Sequence, residues 1–183
     1  MKKLALFFIA LLLLGCQKEL TNQQKKLQAK LPPDAEFSAD GTLLAQGRVV
    51  HVADGDTLTV LASNQQEFKI RLQGIDSPER GQPFGKQCKQ QLIGMAANQT
   101  ASVEAYKQDK YGRVVAKVSV NGKDVGLEQL RAGCAWHYTA YAKEQSPSDR
   151  SAYATAEQQA RASNIGLWQD PSPVAPWDYR HAK

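Results

Sequence analysis

The most informative segment of this chain is residues 71–80, which read Arg71-Leu72-Gln73-Gly74-Ile75-Asp76-Ser77-Pro78-Glu79-Arg80. Apolar and charged residues alternate from 68 to 72, which is the period of a β-strand with one face in a core, so Arg71 is predicted to point away from that core. Pro78 fixes its own φ and biases Ser77 away from the helical region. The turn therefore holds the carboxylates of Asp76 and Glu79 in a set relation, which suits the binding of a hard cation.

Strand patterns continue on both sides of this segment. They cover 48–52, 57–61 and 66–75, which predicts a three-stranded meander, and then 101–106 and 111–120. Helical patterns cover 83–98, a segment capped by Asp124 and closed by Gly133, and a segment that begins at Ser146 and ends near Gly166. Five strands with about three helices predict an α+β fold built on a small five-stranded Greek-key barrel.

The two ends of the chain differ from this region. Residues 1–15 contain two lysines followed by an apolar run that is shorter than the roughly 20 residues of a membrane-spanning helix, and this pattern is typical of a secretory signal. The polar segment 16–46 is predicted to be a flexible tether in which a short helix could form at 23–31. We place the folded domain at 47–169 and predict an irregular tail at 170–183, which contains three prolines.

The residues around Cys16 resemble the lipobox of bacterial lipoproteins. This resemblance implies cleavage before Cys16, attachment of lipid to it, and export to the cell envelope; an ordinary signal peptide or an uncleaved anchor is the alternative. The following Gln17 is not acidic, which favours the outer membrane if the source has one. Loss of Lys2 and Lys3 would leave 21 basic against 18 acidic residues, so the net charge would fall from +5 to +3. Net charge alone is therefore weak evidence for a polyanionic partner.

A second acidic segment, Asp54-Gly55-Asp56-Thr57, lies between the first two predicted strands. Taken alone it is typical of a hairpin turn, and Asp76 with Glu79 could be an acidic corner paired with neighbouring arginines. A meander, however, brings the first turn close to the end of the third strand, so Asp56 and Asp76 could share one cation. Oxygen ligands without nearby His or Cys favour Ca²⁺ or Mg²⁺ over zinc.

Three segments together resemble the motifs of the staphylococcal nuclease (thermonuclease) family: 54–57, 71–79, and Asp109-Lys110-Tyr111-Gly112-Arg113. Residues 164–168 also resemble the end of the family's last helix, so the resemblance covers about 47 to 168. It implies an SNase-like OB-fold barrel and a calcium-dependent nuclease that hydrolyses phosphodiester bonds of DNA, RNA or both. Cleavage within the chain and 3′-phosphate products are implied as well.

The resemblance also implies a role for each of eight residues. Asp56 and Asp76 bind one Ca²⁺ with the backbone carbonyl of Ser77, Arg71 and Arg113 bind phosphate, Glu79 activates or positions the attacking water, and Lys110 and Tyr111 lie near the terminal phosphate of the substrate. The loop 80–83 is shorter than in the family founder and has a single basic residue, which puts substrate grip and sequence preference in doubt.

Three questions stay open at this point. Trp136, His137, Tyr138 and Tyr141 form an aromatic cluster that could stack on bases or pack in the protein, and a packed or surface role is favoured for His137. Cys88 and Cys134 could form a disulfide or remain two buried thiols. The alternatives to a nuclease are a non-catalytic nucleic-acid-binding lipoprotein and a structural envelope protein. The partners we expect are nucleic acid and, through Cys16, a membrane, and no obligate protein partner is evident.

Overall fold

The computed structural model describes residues 20–182. The predicted signal segment 1–15, the lipidation site Cys16 and the start of the predicted tether lie outside the described residues. No helix within the described range is both long and apolar enough to span a bilayer.

The described chain contains nine strands, five α-helices and two 3₁₀ helices. The strands are β1 (Glu36–Phe37), β2 (Leu43–Val52), β3 (Thr57–Leu61), β4 (Glu67–Leu72), β5 (Ile75–Asp76), β6 (Thr100–Gln108), β7 (Val114–Val120), β8 (Lys123–Asp124) and β9 (Trp136–His137). The α-helices are α1 (Asn22–Gln28), α2 (Gly85–Ala96), α3 (Val125–Arg131), α4 (Pro147–Ala162) and α5 (Pro176–His181). Two 3₁₀ helices cover Thr139–Glu144 and Gly166–Gln169.

Five of the strands close into a barrel. β2, β3 and β4 form an antiparallel meander, β4 continues in parallel pairing to β7, and β6 pairs with both β7 and β2 to complete the ring. Residues alternate between core and surface along β7, as a strand with one buried face requires. The predicted α+β fold with a five-stranded OB-type barrel is confirmed.

The core fills the barrel and extends beneath the helices. Leu58, Val60 and Ile70 of the meander are completely buried, as are Leu92 of α2 and Leu130 of α3. Burial of such apolar side chains is the main favourable term in folding. It fixes the meander, and with it the acidic segment at the β2–β3 turn and the one that follows β4.

Local signals in the sequence set the start of α3 and the β7–β8 turn as predicted, but not the end of α4. The Asp124 carboxylate caps α3 by accepting from the backbone N–H groups of Gly126 and Leu127. The Asn121-Gly122 turn has positive φ at both residues, 51° and 74°, as a tight hairpin turn needs. Helix α4 ends at Ala162, earlier than the predicted Gly166, because the chain turns at Asn164 with φ of 49°.

The described part of the predicted tether is folded rather than flexible. Thr21 and Gln24 form a reciprocal capping box at the start of α1. Leu27 and Leu31 are 2% and 3% exposed and belong to the main core, and β2 begins at the fully buried Leu43. The domain therefore begins well before residue 47, because this polar segment carries enough leucine to pack on the barrel.

The tail also differs from the irregular structure predicted for 170–183. Residues 176–181 form α5, with Pro176 at its first turn. Trp177 stacks on Tyr138 with ring centroids 5.1 Å apart, and the Tyr179 hydroxyl donates to the carbonyl of Gly81 at 3.1 Å. These tertiary contacts stabilise a helix that is too short to form by itself.

Candidate active site

A cleft of about 1030 Å³ opens where the β2–β3 turn meets the end of β4. Every residue to which the sequence assigned a metal, catalytic or substrate role in the barrel lines it: Asp56, Arg71, Asp76, Ser77, Glu79, Lys110, Tyr111 and Arg113. Residues of the C-terminal helix line it too. The fold thus gathers three separate sequence segments, and the tail, at one place.

The two aspartates meet at a single guanidinium. Nη2 of Arg71 lies 3.2 Å from Oδ2 of Asp56 and 2.6 Å from Oδ1 of Asp76. The other terminal nitrogen, Nη1, donates to the backbone carbonyls of Leu72 at 3.0 Å and Ile75 at 2.8 Å. Arg71 is therefore locked in orientation, and the carboxylates of Asp56 and Asp76 lie side by side.

Close backbone packing holds the first acidic turn against the second. A Cβ atom on Gly55 would lie 2.7 Å from the side chain of Ser77, so a side chain at position 55 would push the two segments apart. The fully buried amide of Gln129 donates to the carbonyl of Gly55 at 2.7 Å and to that of Cys88 at 3.0 Å. The turn is thereby tied to α2 and α3.

Burial raises the pKa values of carboxylates in the cleft. Burial, together with the charge of Asp56, raises the pKa of Asp54 to about 6. Burial also raises the pKa of Asp76 above its ordinary value, although hydrogen bonding to Arg180 and the charge of Arg71 act in the opposite direction. Closely spaced, partly desolvated carboxylates are stabilised by a cation.

The oxygen atoms of Asp56, Asp76 and Ser77 suit the binding of a hard cation. The N–H of Ser77 donates to Asp56 at 2.7 Å and its hydroxyl donates to the carbonyl of Cys134 at 2.8 Å, so the Ser77 carbonyl is the group left for an ion. Within residues 20–182 no three His, Cys, Asp or Glu side chains cluster as metal ligands. Calcium bound here would therefore complete its six to eight oxygens mainly with water and substrate.

Glu79 lies beside this pair on the loop before α2. Its backbone N–H donates to the side chain of Gln82 at 2.7 Å, and its carboxylate accepts from Arg180 at 2.7 Å. Helix α2 begins directly against it, since a Cβ atom on Gly85 would lie 2.1 Å from the carbonyl oxygen of Glu79. Glycine at position 85 allows this close approach.

Arg113 reaches the cleft from the β6–β7 turn. One carboxylate oxygen of Asp109 accepts from the N–H groups of Tyr111 and Arg113, and the other accepts from Nε of Arg113 at 2.7 Å. Burial opposes ionisation of Asp109, but these hydrogen bonds and the Arg113 charge hold its pKa below the ordinary value. Nη1 of Arg113 lies 3.5 Å from the hydroxyl of Thr57, which itself donates to Asp56, so Thr57 links the second arginine to Asp56.

The same turn exposes an aromatic ring to solvent. Tyr111 is 72% exposed, and the cations of Lys110 and Arg113 lie 5.1 and 5.4 Å from its ring centroid. Lys110 and Tyr111 are thus at the rim of the cleft rather than beside the aspartates.

The predicted aromatic cluster divides into two parts. Tyr138 and Tyr141 line the cleft, with ring centroids 4.8 Å apart. Trp136 instead packs on Trp168, at 4.5 Å. His137 is buried, with its ring 2.8 Å from the side-chain oxygen of Gln145, which confirms a packed histidine.

Both described cysteines are buried free thiols. The neighbouring Cys134 thiol, together with burial, raises the pKa of the Cys88 thiol. The structure therefore has the second of the two arrangements left open by the sequence.

Sequence reasoning missed Arg180, which α5 carries into the cleft. Its guanidinium lies 2.8 Å from Asp76 and 2.7 Å from Glu79. The sequence of the tail offers one sign of a folded segment, since a proline precedes the aromatic residues Trp177 and Tyr179. A helix of six residues is too short to show a helical period, and the family resemblance ends at residue 168.

Comparison with known proteins yields consistent matches. Residues 69–170 match the family model described as staphylococcal nuclease homologue. The chain is similar to an Escherichia coli protein named uncharacterized endonuclease, with 36% identity over 75% of this chain and 86% of that protein. It is also similar to a Shigella flexneri protein named micrococcal nuclease, with 38% identity over 75% of this chain and 81% of that protein.

A longer plant protein matches over more of the chain. Staphylococcal-like nuclease CAN1 of Arabidopsis thaliana is 33% identical over 90% of this chain and 53% of its own length. Two further relatives are matched over only 33% and 34% of their lengths. This chain therefore spans between a third and about half of these longer relatives.

Proposed function

This chain belongs to the staphylococcal nuclease family, and from that premise we propose that it is a nuclease that hydrolyses phosphodiester bonds of DNA, RNA or both. The observation that carries the proposal is the single guanidinium of Arg71 in contact with both Asp56 and Asp76, in a cleft lined also by Glu79 and Arg113. We further propose that the enzyme depends on one Ca²⁺, cuts within the strand and leaves 3′-phosphate ends.

The residues suit the charge that the reaction develops. Hydrolysis of a phosphodiester builds negative charge on the non-bridging oxygens, and Arg71 and Arg113 are permanently charged planar cations whose remaining N–H groups can bind phosphate oxygens. Asp56, Asp76 and the Ser77 carbonyl would hold the calcium ion, which when bound supplies further positive charge to those oxygens.

Glu79 has the role of the base in this scheme. Its carboxylate orients a water molecule and takes a proton from it as the water oxygen bonds to phosphorus. The bond from phosphorus to the 5′ oxygen breaks on the opposite side, and the departing oxygen gains a proton from solvent. The phosphate then stays on the 3′ oxygen. Lys110 and Tyr111, at the rim of the cleft, would contact the strand beyond the cut.

The test is cleavage of plasmid DNA and of RNA with calcium and then with a chelator present. We expect cleavage that stops when the chelator is added. A polymerase should extend the 3′ ends of the products only after phosphatase treatment. Glu79→Gln should lower kcat by about 10²- to 10⁴-fold. Glu67→Gln, at an exposed position of β4, is the matched control and should behave as wild type. Binding to nucleic acid without cleavage would instead indicate a non-catalytic binding protein. If the protein neither cut nor bound nucleic acid, a structural envelope protein would be the remaining alternative.

We also propose that the protein is exported and held at the cell envelope by lipid on Cys16. The support is the charged, then apolar, then small-residue pattern that ends at this cysteine. Several acyl chains anchor a protein firmly where one does not. Radiolabelled palmitate should enter the wild-type protein and not Cys16→Ala, and equal labelling of both would refute the anchor.

A further inference from the structure

Resting on the proposed nuclease function, we propose that Arg180 of the C-terminal helix is a third phosphate-binding guanidinium of this active site. It lies outside the part of the chain that resembles the family and outside the residues that match the family model, 69–170. The substrate group it would bind is a phosphate of the nucleic-acid backbone.

The position of Arg180 is set by the packing of α5. Trp177 stacks on Tyr138 at 5.1 Å and lies edge-on to Trp136 at 5.7 Å. Just before the helix, the carbonyl of Val174 accepts from the side chain of Gln82 at 3.1 Å. Because these contacts hold the helix against the loop that carries Glu79, the guanidinium remains at the cleft even when its present partners change.

Those present partners are the carboxylates of the reaction. Nη2 of Arg180 lies 2.8 Å from Oδ2 of Asp76, and Nη1 lies 3.3 Å from Oδ1 of Asp76 and 2.7 Å from Glu79. Arg71 and Arg180 thus both contact Oδ1 of Asp76, so the two guanidinium groups meet at one carboxylate. A phosphate that Arg71 binds beside this carboxylate would therefore lie close to Arg180.

A divalent ion on Asp76 changes the balance of these contacts. Arg180 covers both oxygens of Asp76, so an ion that coordinates this carboxylate must take at least one of them and repels the guanidinium. Arg180 would then keep its contact with Glu79 through Nη1, while Nη2, freed from Asp76, would be available to donate to an oxygen of a phosphodiester.

Exposure favours Arg180 as a contact for a large polyanion. Its side chain is 42% exposed, whereas the side chains of Arg71 and Arg113 are 13% and 25% exposed. One terminal nitrogen of Arg71 also donates to two backbone carbonyls. Arg180 is therefore the most accessible of the three guanidinium groups at the mouth of the cleft.

The experiment compares wild type, Arg180→Gln and Arg180→Lys by steady-state kinetics on a short single-stranded oligonucleotide at saturating calcium. Arg131→Gln removes an exposed surface ion pair with Glu128 and is the matched control. We expect Arg180→Gln to raise KM about 10- to 100-fold with a smaller effect on kcat. It should also reduce the slope of log(kcat/KM) against log[salt] by about one phosphate contact. Arg180→Lys should restore the wild-type slope but only part of the loss in KM, because lysine keeps the charge but cannot donate two parallel hydrogen bonds to a phosphate.

Calorimetry with a nucleoside 3′-phosphate, which has no bond to cut, gives a readout independent of turnover. We expect weaker binding by Arg180→Gln than by wild type in calcium. An unchanged KM, salt slope and nucleotide affinity would overturn the proposal. So would a kcat/KM above wild type, since Arg180 would then only obstruct the acids. Failure of the wild type itself to cut would instead refute the nuclease function.

Discussion

Replacing Gly85 by alanine should damage the site through the backbone of Glu79. The new Cβ would lie 2.1 Å from the Glu79 carbonyl oxygen, while ordinary contact begins at 3.4 Å, so the loop must move by more than 1 Å. A displacement of about 1 Å at a catalytic group costs on the order of 10²-fold in rate. Overpacking of this kind also costs about 1–3 kcal/mol of stability.

A matched control lies on the same helix. A Cβ atom added at Gly94 of α2 would meet no other part of the described chain within 4 Å, so Gly94→Ala should be stabilised by about 0.5–1 kcal/mol through helix propensity alone. The assay is kcat on an oligonucleotide at saturating calcium, together with urea unfolding at constant m. Equal kcat and stability for Gly85→Ala and Gly94→Ala would show that the close approach of Gly85 to the Glu79 carbonyl does not constrain the site.

Three further changes test other parts of the site. Gln129→Leu should lose about 2–4 kcal/mol in urea unfolding, because the buried carbonyl of Gly55 loses its donor, and a loss below about 0.5 kcal/mol would contradict this. Without divalent ions, the raised pKa of Asp54, about 6, favours folding below pH 3.8, and this contribution is lost as pH rises through 6. Asp54→Asn should therefore gain about 1–3 kcal/mol over wild type at pH 7.5 and no advantage at pH 3.5, as measured by urea unfolding at both values. Asp109→Ala should raise KM several-fold with little change in kcat, because Arg113 loses the carboxylate that orients it. A several-fold fall in kcat with an unchanged KM would contradict that role.

The parts of the fold that depend on short-range signals could be predicted from the sequence. The cap at Asp124 and the Asn121-Gly122 turn follow from residues that form these features locally. The alternation around Arg71 also gave the face correctly, although the strand predicted for 66–75 ends at Leu72, where the chain turns through Gly74 with a φ of 73°. The parallel pairing of β4 with β7 could not be read, because it joins segments that are far apart in the chain.

The folded ends of the domain were predicted only in part: the short helix allowed at 23–31 is present as α1, but its packing on the barrel and the whole of α5 were missed. α1 and α5 are short, and both depend on tertiary contacts that leave only a weak pattern in the sequence. The capping box of Thr21 and Gln24 was readable, but two buried leucines in a polar segment gave too little periodicity to outweigh its composition. The same limit concealed Arg180, whose position becomes clear only when Trp177 is seen against Tyr138.

The candidate site was found by combining motifs, since each acidic segment alone is typical of a surface turn. What joins them is the meander, which places Asp56 and Asp76 against one guanidinium. Distances of this kind are set by core packing and not by the motifs themselves.

A single shared ion site is tested most directly by calorimetric titration of calcium into wild type, Asp56→Asn and Asp76→Asn. We expect one ion per wild-type chain and a loss of at least about 10-fold in affinity in each variant, because both carboxylates would hold the same ion. Asp40→Asn, a change at an exposed position outside the cleft, should bind as wild type. Unchanged affinity in either cleft variant, or two independent ions per chain, would contradict a single shared site.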